Sequence, residues 1–202
     1  MQISKMIELS VILVNFNSKK LTIDCIHSVL EEGKVEKEII VVDNGSIDGS
    51  VEALEELAKK KVIKFIKNRE NLGFAKANNQ GIKIAKGKYI LLLNNDTIVK
   101  KGALTKLAKF AKERRDVGVV GSKLLNIDGS LQSSCFHFPT ITNAIKEYLL
   151  GQKGYFEKFA PKTQEATTVD ALVGASFLIT PLARKKVGLL DERYFAYFED
   201  ID

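Results

Sequence analysis

Four short segments hold most of the residues able to do chemistry: Asn15-Phe16-Asn17, Asp43-Asn44-Gly45-Ser46 with Asp48 close behind, Asn71-Leu72-Gly73-Phe74, and Asn94-Asn95-Asp96. Each closes or follows an apolar run. Asn, Asp and Gly are ordinary turn residues, so a turn explains any one segment alone. Their recurrence after four successive runs points to a shared binding edge. Asn94-Asn95-Asp96 directly follows Leu91-Leu92-Leu93, and an acid there is costly to bury unpaired. A hard divalent cation carrying diphosphate oxygens would satisfy it, because such ions typically use one or two carboxylates plus phosphates. The plainer alternative is an Asx-turn into the next helix. The Asp43 carboxylate can accept hydrogen bonds from a nucleobase or ribose, or it can end a strand and cap the following turn. For Asp48, helix capping is the stronger reading. Asn78 and Asn79 interrupt an apolar helix in which Asn is a mediocre former; they either face the crevice or are simply exposed.

These residues need elements to position them. Leu9 to Phe16 reads as a strand buried on both faces, followed by a helix from about Ser18 to Glu32 with Ile23, Ile26, Val29 and Leu30 on one side. Ile39 to Val42 is a second strand. The next helix carries Val51, Leu54, Leu57 and Ala58, with Asp48 or Ser50 as its N-cap. Val62 to Ile66 and Tyr89 to Leu93 are further strands, and Ala75 to Ala85 is the helix between them. Gly87 fits a left-handed helix stop. Leu104, Leu107, Ala108 and Ala111 give the next helix its core face, and Val117 to Val120 closes the series. Strands alternating with helices this regularly predict βαβ units and a mainly parallel sheet covered on both sides. In such sheets ligands bind beyond the carboxyl ends of the strands. The polar segments sit at that edge.

Beyond residue 121 the pattern loosens. Asn126-Ile127-Asp128-Gly129 signals a hairpin turn, residues 137 to 168 read as a mobile loop or short helices, Ala175 to Ile179 as a strand, and Pro181 as the opening of a short helix. Gly174-Ala175 keeps side chains small where a ligand would approach, although close strand packing explains the pair equally well. Tyr194, Phe195, Tyr197 and Phe198 either wall a groove or pack in the core; core packing is the safer assignment for at least half of them.

The bulk numbers exclude several classes. With 202 residues, 45% hydrophobic and 28% charged, the chain suits one globular domain and not a disordered segment. Apolar stretches such as Val11 to Val14 are far short of a membrane span. Ser10 and Asn15 break the only early apolar run, so no secretion signal is expected and the chain reads as cytoplasmic. A net charge of +6, spread along helices, suits an anionic small ligand or an anionic membrane face but not nucleic acid. Cys25 and Cys135 lack CxxC companions, and neither His27 nor His137 has a metal-spaced partner.

The ordered set Val14-Asn15-Phe16-Asn17, Val41 through Gly49, Asn71-Leu72-Gly73-Phe74-Ala75, Leu93-Asn94-Asn95-Asp96 and Gly174-Ala175 through Glu199-Asp200 closely resembles glycosyltransferase family 2, from about residue 7 to the last residue. Its Asn-Asn-Asp and Asn-Leu-Gly-Phe-Ala segments are most similar to bacterial rhamnosyltransferase-type members. The resemblance implies an α/β GT-A fold, with a Rossmann-like, mostly parallel sheet and helices on both faces, forming one catalytic domain over residues 1–202. It also implies a nucleotide-diphosphate-sugar donor, a divalent cation (Mn2+ or Mg2+) and inversion at the anomeric carbon. Asn15, Asn17 and Asp43 match the family's nucleotide-binding positions, and Asn71, Gly73 and Asn95 fall on the same donor side. Asn94 and Asp96 match the first and last members of its Asp-x-Asp motif, with Asp96 on the metal. Gly174, Ala175 and Glu199 fall on the acceptor side, and Asp200 matches the acceptor-activating base. As partners, the resemblance points to dTDP-rhamnose and a glycan or lipid-linked acceptor, with peripheral association at the inner face of a membrane.

Two departures from the family pattern matter. Asn94 replaces an acid, so either metal affinity is lower or ribose contact dominates there. The sequence also stops two residues after Asp200, where relatives continue with further helices and acceptor contacts, so the acceptor half is expected to be incomplete. Competing readings are a donor-binding but inactive fragment, or a partner-dependent subunit. A nucleotidyltransferase would need a glycine-rich basic loop where Asn15-Phe16-Asn17-Ser18 stands, and a dinucleotide-dependent dehydrogenase would need a GxGxxG after a strand.

Overall fold

Why the polar segments converge follows from which strands are buried and how they are ordered. The computed structural model describes residues 6–151, 157–197, 199 and 200. In chain order the elements are β1 (Leu9–Asn15), α1 (Lys19–Glu31), β2 (Lys37–Asn44), α2 (Ser50–Lys59), β3 (Lys64–Asn68), α3 (Phe74–Ile84), β4 (Tyr89–Leu93), α4 (Ala103–Glu113) and β5 (Val119–Gly121). There follow β6 (Cys135–Phe136), α5 (Ile141–Ala144) running into a wider π turn (Ile145–Leu149), β7 (Ala171–Leu172), β8 (Ser176–Ile179) and α6 (Pro181–Lys186).

The main sheet has the order β3-β2-β1-β4-β8-β5. Its first four strands are parallel, β8 runs antiparallel to β4, and β5 runs antiparallel to β8. The period of two in β1 divides its side chains between the sheet's faces. Leu9, Val11 and Leu13 join Cys25, Ile26 and Val29 of α1, Leu54 of α2 and Leu104, Leu107, Ala108 and Ala111 of α4. Ile12 joins Ile40, Ile90, Leu92, Ile82 of α3 and Ile179 on the opposite face. Both faces are therefore covered, as continuously apolar strands require. From β1 the chain winds outward through β2 and β3, then returns to place β4 on the other side of β1. Such a reversal opens a crevice at the carboxyl ends of the two strands, where Asn15 and Asn94-Asn95-Asp96 lie.

Several expectations need correction. Val117 to Val120 does not close a parallel series: β5 begins two residues later and meets β4 only through β8. β3 also begins late, because Leu57 O captures the Val62 amide and keeps that residue in the exit from α2. Leu30 is exposed, since the apolar stripe of α1 turns away from the sheet at its last turn. Gly87 does not adopt a left-handed conformation. It is required for space instead: a Cβ there would stand 2.4 Å from the Ser10 amide nitrogen. Neither Asp48 nor Ser50 occupies the N-cap position of α2, which Gly49 takes at φ 82°. Asp48 nevertheless serves two helix starts, with Oδ1 accepting from the Ser50 amide and hydroxyl and Oδ2 from the Lys19 amide. The predicted hairpin at Asn126–Gly129 is present, closed by Leu125 opposite Leu131. Residues 137–168 include the short helix α5, and Thr180 caps α6 ahead of Pro181.

Candidate active site

Asn15 is wholly buried at the end of β1, and its carboxamide is the hub of the strand-end network. Its Nδ2 donates to Asp43 Oδ2 (2.6 Å) and Ser46 Oγ (3.0 Å). Its Oδ1 accepts from Thr22 Oγ1 (2.7 Å) and Asn95 Nδ2 (3.3 Å). Two donor hydrogens and two lone pairs are all a carboxamide has, so Asn15 is saturated. Asp43 is equally buried; its Oδ1 accepts the Gly45 (3.1 Å) and Ser46 (2.9 Å) amides, so it shapes the 43–48 turn. Asn17 is exposed in the left-handed region (φ 49°), which Asn tolerates. Its amide donates to Ser46 Oγ and its Oδ1 accepts from the Ile47 amide. Asn95 turns inward, donating to Thr22 Oγ1 as well as to Asn15. Thr22, which joins Asn15 to Asn95, escaped sequence reasoning, and Ser46 was named with its segment but given no partner. Hydroxyls on a helix and in a turn carry no signal until the strands are placed side by side.

Asn94 and Asp96 behave differently. The Asn94 main chain is engaged, its carbonyl accepting from Thr97 and its amide donating to Ala175 O (3.0 Å). Among the described residues, neither the Asn94 carboxamide nor the exposed Asp96 carboxylate has a hydrogen-bond or ion-pair partner. Cys25 lies beneath them, and burial, reinforced by the Asp96 charge against a Thr97 hydrogen bond, pushes its thiol up to about 11. That thiol stays protonated and unreactive. Among the described residues no three His, Cys, Asp or Glu side chains form a metal cage. The single open carboxylate of Asp96 fits a hard cation only when the ligand supplies further oxygens, as diphosphates do.

The residues expected on the acceptor side meet this edge through hydrogen bonds from main-chain amides. Ala175 O receives the Asn94 amide, and the adjacent Gly174 amide donates to Asp200 Oδ2 (2.9 Å). Glu199 is buried with Oε2 unpartnered, and burial, more than the Asp200 charge, raises its carboxyl above the usual range. Asn71 Oδ1 accepts the Gly73 amide and Asn44 Nδ2. Gly73, at φ 84°, supports a close approach: an added Cβ would stand 2.4 Å from Phe195 O. Asn78 and Asn79 are buried, not exposed. Asn78 bonds back to Phe74 O, and Asn79 bonds residues 190 and 192.

Core packing was the safer expectation for at least half of the aromatic run. Phe195 and Tyr197 are exposed and Tyr194 is half-buried, because residues 190–197 run over α3 with no described layer outside them; Phe198 lies outside the described residues. A cavity of about 830 Å³ opens beside Glu199 and Asp200, walled by Val120, Leu124, Phe138, Leu172 and Phe177 among others. It does not reach Asp96, so the Asp96 edge and the Glu199–Asp200 region adjoin without sharing one hollow. His137 sits near the cavity's rim, stacked on Phe159 and 3.2 Å from Asp170.

The model for Glycosyl transferase family 2 matches residues 10–164. TuaG of Bacillus subtilis, named as a teichuronic acid biosynthesis glycosyltransferase, is 32% identical over 147 residues, covering 70% of this chain and 58% of its own length. Among solved structures, TarS 1-349 of S. aureus superposes with a TM-score of 0.66 at 21% identity, over 96% of this chain and 53% of that one. The mannosyltransferase PcManGT of Pyrobaculum calidifontis, solved with GDP-Man and Mn2+, gives 0.64 at 17% identity, over 94% and 49%. TarS has also been solved with UDP-GlcNAc. These likenesses show the α/β GT-A fold, and the chain spans about half the length of these relatives.

Proposed function

Because the chain belongs to glycosyl transferase family 2, we propose that it is the donor-binding and catalytic domain of an inverting glycosyltransferase, moving a sugar from a nucleotide diphosphate to a glycan or lipid-linked hydroxyl. One observation carries this reading. The open Asp96 carboxylate closes β4, and the main-chain bonds from Asn94 to Ala175 and from Gly174 to Asp200 bring a second carboxylate to the same edge.

On the donor side, Asn15 and Asp43 set the floor, and Asn17, Asn71, Gly73 and Asn95 border it. Asp96, with Asn94 beside it, would hold Mn2+ or Mg2+ together with diphosphate oxygens. A divalent ion so held supplies Lewis-acid stabilisation of charge on the leaving nucleotide diphosphate. On the other side, Asp200 accepts the proton of the acceptor hydroxyl as its oxygen bonds to the anomeric carbon and the carbon–phosphate-oxygen bond breaks opposite. The transition state has oxocarbenium character by analogy with glycoside hydrolysis. Gly174 contributes no side chain that would block the approach, and its amide orients Asp200. The cavity beside Glu199 is the place for the acceptor.

The Asn-Asn-Asp and Asn-Leu-Gly-Phe-Ala segments favour dTDP-rhamnose as donor. Among the described residues no helix is long and apolar enough to cross a membrane. Peripheral membrane association is supported by exposed Ile141, Tyr148, Leu149 and Leu150 and by the basic residues of α6.

The test is calorimetry of dTDP-rhamnose, UDP-GlcNAc, UDP-glucose and GDP-mannose with and without Mn2+, followed by nucleotide-diphosphate release. Asp96→Asn is expected to remove the metal-dependent share of affinity at unchanged melting temperature, because the side chain is exposed and unpartnered. Asp200→Asn is expected to bind donor and release nothing. No binding by any donor sinks the proposal, whereas donor binding without turnover by the 202-residue chain favours an inactive or partner-dependent module. Pyrophosphate release from a nucleoside triphosphate would favour nucleotidyl transfer.

A further inference from the structure

Asn79 lies in the middle of α3 with none of its surface exposed, yet its partners lie 111 and 113 residues further along the chain. Its Nδ2 donates to Leu190 O (2.8 Å) and Glu192 Oε1 (3.0 Å), and its Oδ1 accepts the Leu190 amide (3.0 Å). One carboxamide thus pairs in both directions with the main chain of a single residue. A second attachment lies at the start of the same helix, where the Phe74 amide donates to Phe195 O (2.7 Å). The described residues between Leu190 and Asp200 form no helix or strand, and most of their side chains are exposed. Leu190 packs against the cluster that holds Ile82 and Ile179, but beyond it apolar burial does little to fix the described segment; the attachments to α3, joined by an ion pair from Lys83 to Glu192 (3.8 Å), do most of it. Its far end carries Asp200, bonded to the Gly174 amide.

A helix packed on a sheet has no need of a carboxamide at a buried position. An aliphatic residue would be a better helix former there and would leave nothing to satisfy. We infer that Asn79 is a positioning residue for Asp200: by pairing with Leu190 it seats residues 190–195 on α3 and so fixes where the downstream carboxylate stands. The inference rests on the reading of Asp200 as the base. It assigns α3, which bears the donor-side Gly73 at its start, a second task on the acceptor side.

The experiment compares Asn79→Ala with the unaltered chain, using the donor from the panel that turns over and water as acceptor. Hydrogen exchange at residues 190–197 is expected to quicken by roughly tenfold or more while β1 and β4 keep their protection. Diphosphate release is expected to fall in kcat by roughly 10- to 100-fold, the scale of a small misplacement of a reacting group. Donor affinity by calorimetry is expected to stay within about twofold, because the base acts on the acceptor. A wild-type kcat overturns the inference, as does a loss of donor affinity equal to the loss in kcat.

If Asn79→Ala does not fold, Glu192→Ala serves instead. It trims a 40% exposed side chain and removes one of Asn79's three bonds together with the Lys83 ion pair to the same carboxylate. A kcat lowered by roughly fivefold at unchanged donor affinity is expected, the equivalent of one ordinary hydrogen bond, and an unchanged kcat overturns the inference. Asp200→Asn separates the two levels. Wild-type release by that variant removes the base reading and the inference with it. A silent Asp200→Asn beside an Asn79→Ala of normal kcat removes the positioning role alone.

Discussion

Replacing Asn15 by aspartate changes a single buried atom from nitrogen to oxygen and tests whether the strand-end network is as dry and as tight as it looks. In the native arrangement Asn15 Nδ2 donates to Asp43 Oδ2 at 2.6 Å, with neither residue exposed. Asn15→Asp places a second carboxyl at that contact. Two full charges at this separation repel by about 6 kcal/mol at an effective dielectric of about 20. Keeping one proton on an ordinary carboxyl at pH 7 costs about 4 kcal/mol, from three pH units at about 1.4 kcal/mol each. The smaller cost wins, so the folded variant retains one proton between the two carboxyls and the unfolded chain does not.

The sign follows from proton linkage. A proton held in the folded state and lost in the unfolded one raises the pair's folded pKa, so stability is intact below about pH 4 and declines as pH rises. The slope is about 1.4 kcal/mol per pH unit, or roughly 3 kcal/mol between pH 5 and pH 7. Urea unfolding of Asn15→Asp and the unaltered chain at both pH values measures this through the midpoint at constant m. A stability difference that is the same at both pH values would refute the reasoning: it would mean that water reaches the contact or that the turn opens to separate the charges.

Two further outcomes follow from the same geometry. Gly73 and Gly102 share a φ of 84°, but ψ is 173° at Gly73 and −3° at Gly102, and an added Cβ meets Phe195 O at 2.4 Å at the first and nothing within 4 Å at the second. Gly102→Ala is expected to lose about 1–2 kcal/mol from the left-handed backbone alone, and Gly73→Ala about 1–3 kcal/mol more from its glycine-only backbone and the forced shift together; equal losses in urea unfolding would refute the close approach of residue 195 to α3. Glu199, its carboxyl raised by burial and then by the Asp200 charge, contributes stability that is complete below its unfolded pKa and is lost as pH rises through the folded one. Glu199→Gln is therefore expected to melt at a temperature that depends less on pH between 5 and 8 than that of the unaltered chain, and parallel profiles would count against a buried, unpartnered carboxyl.

The βαβ half of the fold was legible because its strands are buried on both faces and its helices carry apolar stripes. Both patterns are written in single segments and survive without knowledge of partners. Leu104, Leu107, Ala108 and Ala111 of α4 are all buried where periodicity placed them. The sheet's far edge was not legible. β5 and β8 are 3 and 4 residues long, and their order depends on a strand inserted from 55 residues later. The strand-end residues were also legible as a set, but not in their division of labour. Asn15, Asp43 and Asn95 read the same in sequence as Asn94 and Asp96, yet the first three spend their polar atoms on one another and on Thr22 and Ser46.

That division has a consequence for chemistry. A ligand can compete only for groups that folding has left open, since displacing a buried hydrogen bond costs as much as a new one supplies. Asn94 and Asp96 are open at the strand edge, while Asn15, Asp43 and Asn95 act by holding the edge rigid. Substitution of the inner residues is thus a folding experiment as much as a binding one, and Asp96→Asn is the cleaner probe of the donor. On the proposed acceptor side the order is reversed: among the described residues Asp200 is held by a single amide, and by a segment that Asn79 seats on α3. The Asp96 edge is built into the sheet, whereas Asp200, the proposed base, is delivered to it by a surface strap. Of the two halves, the strap is the one that local loosening will disable first.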